Sequence, residues 1–117
     1  MNNFFSLFAI LFCVELNAQI VDTVNIGTHP EIKYIEVVGF TKFLNPNKVN
    51  IVVDYGQEKR IFDDVISLRD KTGKKVVFNG MVDALNFFEL NGWTYVSNYI
   101  VTLQNSNVYH FLLRKKQ

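Results

Sequence analysis

The chain has one cysteine, two prolines and two histidines in 117 residues, and each scarcity removes a class of explanation. A lone thiol, Cys13, makes no internal disulfide and cannot build a Cys-rich metal site. Two histidines without ligands at local spacing are thin material for a metal centre or for a nucleophile and base pair. Charge of one sign is missing too: 12 basic against 11 acidic side chains leave +1, which speaks against a nucleic-acid binder. No apolar run approaches the roughly 20 residues that cross a bilayer as a helix, so no stable membrane span is expected. Internal repeats and low-complexity tracts are also lacking. What remains, 49% hydrophobic and 20% charged, suits one globular domain.

Basic residues are absent before Lys33, and Phe4 to Val14 is an unbroken apolar and small-residue run of 11. That length fits the hydrophobic region of a secretion signal. Glu15, Leu16, Asn17 and Ala18 follow, so residues 1–18 read as a signal peptide cleaved after Ala18, placing the protein in the periplasm or outside the cell. Leu16 is larger than usual at its position, and Met1 to Asn3 carry no basic group. A buried N-terminal helix would show polar residues every three or four positions. Lipid attachment at Cys13 would need a small residue where Phe12 stands. Cleavage leaves residues 19–117 with no thiol and, because Glu15 departs, a net charge of +2.

Residues 19–32 lack any apolar period and end in Gly27, Thr28, His29 and Pro30, which reads as a lead-in to a domain over 33–117. There, short β-branched and aromatic runs alternate with turn chemistry. Asn45 to Lys48, with Pro46 at the second position, fits a type I turn pairing Glu31–Phe43 with Val49–Tyr55. Asp70 to Gly73 is the recipe for a hairpin joining Ile66–Arg69 to Lys74–Phe78. Gln104 to Asn107 separates Trp93–Leu103 from Val108–Lys115. Ile61–Val65 is ambiguous, because Asp63 and Asp64 interrupt its alternation. One helix should run from Asn79 or Gly80, an Asn side chain capping it, to a left-handed stop at Asn91 and Gly92. Asp83, Asn86 and Glu89 form its polar stripe, while Met81, Val82, Ala84, Leu85, Phe87, Phe88 and Leu90 make it apolar enough to be buried on more than one side. The expected fold is α+β: a curved antiparallel sheet of about five to six strands built from hairpins and packed on one main helix.

Phe78, Asn79, Met81, Asp83, Ala84, Leu85 and Asn86, then Gly92, Trp93 and Val96, then Val108, Tyr109, His110, Leu112 and Leu113 carry a resemblance. In these residues the chain resembles a family of small uncharacterised exported proteins of the Bacteroidetes group. More distantly, it is similar to a small domain of unknown function marked by a helix, a Gly-Trp step and a terminal hairpin. The resemblance implies an α+β domain and secretion, and it brings no activity, ligand or catalytic residue.

Enzymatic chemistry has little to build on. Asp63 and Asp64 are neighbours and in a strand would face opposite ways, so they make no acid and base pair. Tyr55, Gly56 and Gln57 read as a tight corner, since no helix with a Lys and a hydroxyl follows as in a phosphate loop. The basic pairs Lys59 with Arg60 and Lys74 with Lys75, and the run Arg114 to Lys116, are balanced by acids and read as solvated strand ends. No enzyme activity, cofactor or metal is expected.

The last hairpin gives the one functional hint. Alternation puts Val96, Ile100, Phe111 and Leu113 on a face suited to the helix, and Tyr95, Tyr99, His110 and Arg114 on the other. Aromatic and Arg side chains dominate recognition surfaces because they bury area at low entropic cost while keeping a polar tip. The plain alternative is tyrosines covering the second side of a sheet. A two-residue loop at Asn105 and Ser106 would pair Leu103 with Val108, Val101 with His110 and Tyr99 with Leu112. The expected function is an exported small binding module for an envelope or extracellular protein or glycan. Two other classes stay open: a structural or assembly component of the envelope, and an inhibitor or immunity-type protein of an extracytoplasmic enzyme.

Overall fold

The computed structural model describes residues 18–21, 24–42, 45–58, 67–104 and 106–117. The expectations for the signal segment, Cys13, Lys59 with Arg60, and Ile61–Val65 with Asp63 and Asp64 lie outside the described residues. Strands β1 (Ile20–Val21), β2 (Val24–Asn25), β3 (Tyr34–Lys42), β4 (Asn45–Asp54) and β5 (Val77–Phe78) precede helix α1 (Met81–Leu90), and β6 (Trp93–Leu103) and β7 (Ser106–Lys115) follow it. β1 and β2 form a small antiparallel sheet, and the others form one antiparallel sheet in the order β5-β4-β3-β7-β6. The fold is α+β. Among the described residues no helix is long and apolar enough to cross a membrane.

The central strand β3 pairs with β4 on one side and β7 on the other, and the register sorts its side chains. Ile35 and Val37 share a face with Val53, Phe111 and Leu113. Gly39 belongs to the same face, and a Cβ there would lie 2.2 Å from Met81 Sδ. Only glycine lets the first turn of α1 come so close, so this face carries the helix. Ala84 and Phe88 on α1, with Trp93, close the core.

The helix is buried on one side only, contrary to expectation. Ala84 and Phe88 are buried, but Val82 is 72% and Leu90 78% exposed. The stop is as expected, with Gly92 at φ 96. The start is not. Gly80, which has no side chain to cap with, is the N-cap, and the Asn79 side chain accepts from Lys48 Nζ. Asp83 Oδ2 accepts from the Asn79 N–H at 2.9 Å, which ties the entering chain down and sets a carboxylate at the positive end of the helix dipole.

Two turns move. β3 and β4 pair as expected, but Asn45 opposite Lys42 is already in the ladder, and the register jumps between Thr41 with Val49 and Lys42 with Asn45. Pro46 therefore falls in an irregular stretch of β4, where a residue without an N–H costs no ladder bond. The last pair of the terminal hairpin is Leu103 with Ser106, so Gln104, at φ 45, enters the connection and Ser106 does not. The hairpin at Asp70 is as expected: Asp70 Oδ1 accepts from the N–H groups of Thr72 and Lys74, and Gly73 N donates to Asp70 O at 3.0 Å.

The segment expected as a lead-in is packed into the domain. Val21, Ile26 and Ile32 are buried, and at roughly 1.5–3 kcal/mol for each such side chain this is comparable with the whole stability of a small domain. Ile20 and Arg69 exchange backbone bonds of 2.9 and 2.8 Å. Gln19 is fully buried; its Oε1 accepts from Trp93 Nε1 at 2.7 Å and its Nε2 donates to Asn91 O at 3.0 Å. A polar residue can be hidden there because both of its ends are satisfied.

Candidate functional site

On the sheet face opposite the helix, four strands set polar groups in a row. Asp54 on β4 lies opposite Glu36 on β3, and Tyr99 on β6 lies opposite His110 on β7. Glu36 stands one rung diagonally from His110, which itself faces Val38. His110 Nδ1 and Glu36 Oε1 are 2.9 Å apart, with 11% and 28% of the two side chains exposed. An ionised carboxylate can only accept, so Nδ1 is the donor of this contact. The Tyr99 ring stacks on the imidazole with centroids 4.3 Å apart and planes 8° from parallel, and its hydroxyl donates to the same Glu36 oxygen at 3.4 Å. Partial burial, then the charge and hydrogen bond of Glu36, then the charge of Asp54 hold the Tyr99 phenol above its ordinary pKa.

Sequence reasoning brings Tyr99, His110 and Arg114 to one face, and the structure does so. The register differs by two residues, Tyr99 meeting His110 and Val101 meeting Val108, and a shift of two leaves every face assignment intact. Tyr95 is not with them. The ladder slips between Tyr95 and Ser97, and the extra residue turns Tyr95 onto the helix side. It pairs with Leu113 and lies against the Phe111 ring at 6.1 Å. There it borders a groove of about 200 Å³ with Leu85, Phe88 and Trp93. Val96 and Ile100, expected to pack on the helix, are exposed.

Arg114 stands two rungs beyond Leu112, between Tyr34 on β3 and Thr94 on β6. With Lys33, Tyr34 and Lys115 it borders a depression of about 400 Å³. Its neighbours are occupied elsewhere: Lys115 Nζ sits 5.4 Å over the Trp93 ring and donates to His29 O at 2.7 Å, and Lys116 pairs with Glu89 at 2.6 Å. Burial, then the charge of Lys33, draw Lys115 below its ordinary pKa. Across the strands the face thus runs from acidic at Asp54 and Glu36 to the His110 and Tyr99 pair, and along β7 the basic Arg114 stands on the other side of Leu112 from His110.

Glu36 was missed in the sequence. A signal was there: a lone carboxylate between Ile35 and Val37 in a strand of apolar residues demands a partner. His29 is structural, its Nδ1 accepting from the Glu31 N–H at 3.4 Å. The corner at Tyr55 to Gln57 is held by Gln57, which accepts from Tyr55 N at 2.7 Å and donates to Val53 O at 2.8 Å. Among the described residues no group of three or more His, Cys, Asp or Glu side chains could hold a metal. No family model, curated protein or solved structure matches the chain.

Proposed function

We propose that the protein is an exported binding module whose recognition surface is the sheet face carrying Tyr99, His110 and Arg114. One observation carries the reading: an exposed tyrosine ring is held flat against an imidazole that a carboxylate fixes from below. Such a ring offers contact area whose ordering entropy is spent before a partner arrives. Arg114 supplies a fixed charge further along, and the partner class is an envelope or extracellular protein or glycan with an apolar or sugar face and an anionic group. Export rests on the apolar run before Ala18 and on the resemblance to exported Bacteroidetes proteins.

The experiment is capture of partners from envelope and culture-supernatant fractions by the 19–117 chain. Tyr99→Ser with Arg114→Ser should abolish specific capture while the cooperative melt survives, and Tyr95→Ser, on the other face, should retain it. Equal capture by all three proteins overturns the surface. N-terminal sequencing of the cell-made protein should begin at Gln19, and an intact Met1 in the cytoplasm overturns export.

A further inference from the structure

We propose that the chain self-associates about a two-fold axis through the outer edge of β6, a second copy adding its own β6 antiparallel so that two sheets become one. The inference goes beyond the recognition reading and does not rest on it, although Tyr99 lies on the same strand. Among the described residues no strand lies beyond β6 in the sheet order, so its outward N–H and C=O groups form an open template. A strand lying on a core hides alternate residues, yet every residue from Tyr95 to Thr102 is exposed. Both faces of this stretch carry apolar side chains: Tyr95 and Ile100 on one, Tyr99 and Val101 on the other, each between 36% and 53% exposed.

Charge and pairing choose the occupant. Trp93 to Leu103 contains no Asp, Glu, Lys or Arg, although inward charges and edge lysines are what keep like edges apart. The strand is therefore neutral toward itself. The slip near Val96 confines regular geometry to Ser97–Leu103, and folding that stretch on itself centres the axis at Ile100. Tyr99 then meets the second copy's Val101 and Asn98 meets its Thr102, while Ile100 meets Ile100. Each pair keeps its members on the same face, as a continuous sheet requires, and aromatic against β-branched is a favourable cross-strand pair. A two-fold contact of this kind closes on itself and makes a dimer, not a fibre.

Sedimentation velocity on the 19–117 chain from about 1 to 500 μM tests it. The expected result is a concentration-dependent dimer that Ile100→Lys weakens at least about tenfold, because two lysines meet at the axis, and that Thr102→Lys weakens from two rungs away. Both variants should keep the far-ultraviolet spectrum and cooperative melt of the parent. Val77→Lys, on the opposite edge of the sheet, should leave dimerisation unchanged. A monomer across the whole range overturns the proposal, as does a dimer that both β6 lysines leave intact or that Val77→Lys disrupts equally. If one β6 variant does not fold, the other decides.

Discussion

The two ends of the terminal hairpin are built by opposite rules. At its base, Trp93 and Leu113 are 1% exposed, Gln19 clasps the Trp93 indole, and the Lys115 ammonium lies over the ring. Beyond Thr94 the same strand is exposed on both faces for eight consecutive residues. A single ladder with β7, interrupted once by the slip between Tyr95 and Ser97, joins the two regions. Pairing with β7, helped by ring contacts such as Tyr99 on His110 and Tyr95 against Phe111, therefore sustains a strand past the edge of its core. The sheet's own edges repeat the contrast. At β5 the edge is two residues long and, among the described residues, continues as isolated bridges at Ser67, Arg69 and Lys75, whereas β6 offers 11 residues.

The contrast breaks most violently at the base. Gln19→Leu fits the space but removes the bonds to the Trp93 indole and the Asn91 carbonyl, and losing two buried hydrogen bonds should cost about 2–5 kcal/mol. Chemical denaturation measures it, and a loss under about 1 kcal/mol would show that the base is not the anchor. Gly92→Val forces a β-branched residue to φ 96 and should cost about 2 kcal/mol. Its melt should fall well below that of Ile100→Ser, which on the exposed arm should stay within about 0.5 kcal/mol of the parent monomer.

Smaller effects sharpen the picture of the arm. Glu36→Gln removes the carboxylate that raises the Tyr99 phenol, so that phenol should titrate closer to its ordinary value in a carbon-13 spectrum. The sign follows from linkage: a raised folded pKa gives stability that is complete below the ordinary phenol range and lost as pH climbs through the raised value. An unmoved Tyr99 titration in Glu36→Gln would detach the two residues. Least of all should come from Asp70, whose carboxyl is held below its ordinary value, chiefly by the Thr72 hydroxyl and also by the backbone of Thr72 and Lys74. Its contribution is present above the ordinary carboxylate range and fades as pH falls through the lowered value. Melts of Asp70→Ala and parent should thus differ slightly at neutral pH and converge in acid.

Local chemistry made much of the fold legible. The Gly92 stop, the Asp70 turn and the three hairpin pairings depend on neighbours in the chain, and turn residues and period-2 alternation report on neighbours. The errors share a cause. Pro46 invited a turn that an irregular stretch of ladder replaced, the Asn79 side chain accepts from Lys48 and does not cap its helix, and apolar Val82 and Leu90 promised burial that no second layer provides among the described residues. At the candidate site, Tyr99, His110 and Arg114 could be aligned by parity, which survived a two-residue error in register. Tyr95 could not, because one extra residue inverts the face of everything before it.

From β3 onward the amino-acid sequence by itself determined the element types, the antiparallel hairpins and the helix stop, because each is set by backbone preferences and polarity patterns spanning a few residues. Tertiary structure alone decided that Gln19 belongs to the core and that Glu36 belongs to His110, since each pair is 74 residues apart in the chain. It also decided which stretch of β6 is left uncovered. A buried amide or carboxylate is tolerated only where a partner arrives from elsewhere, and that arrival depends on strand order and register, which no local pattern encodes.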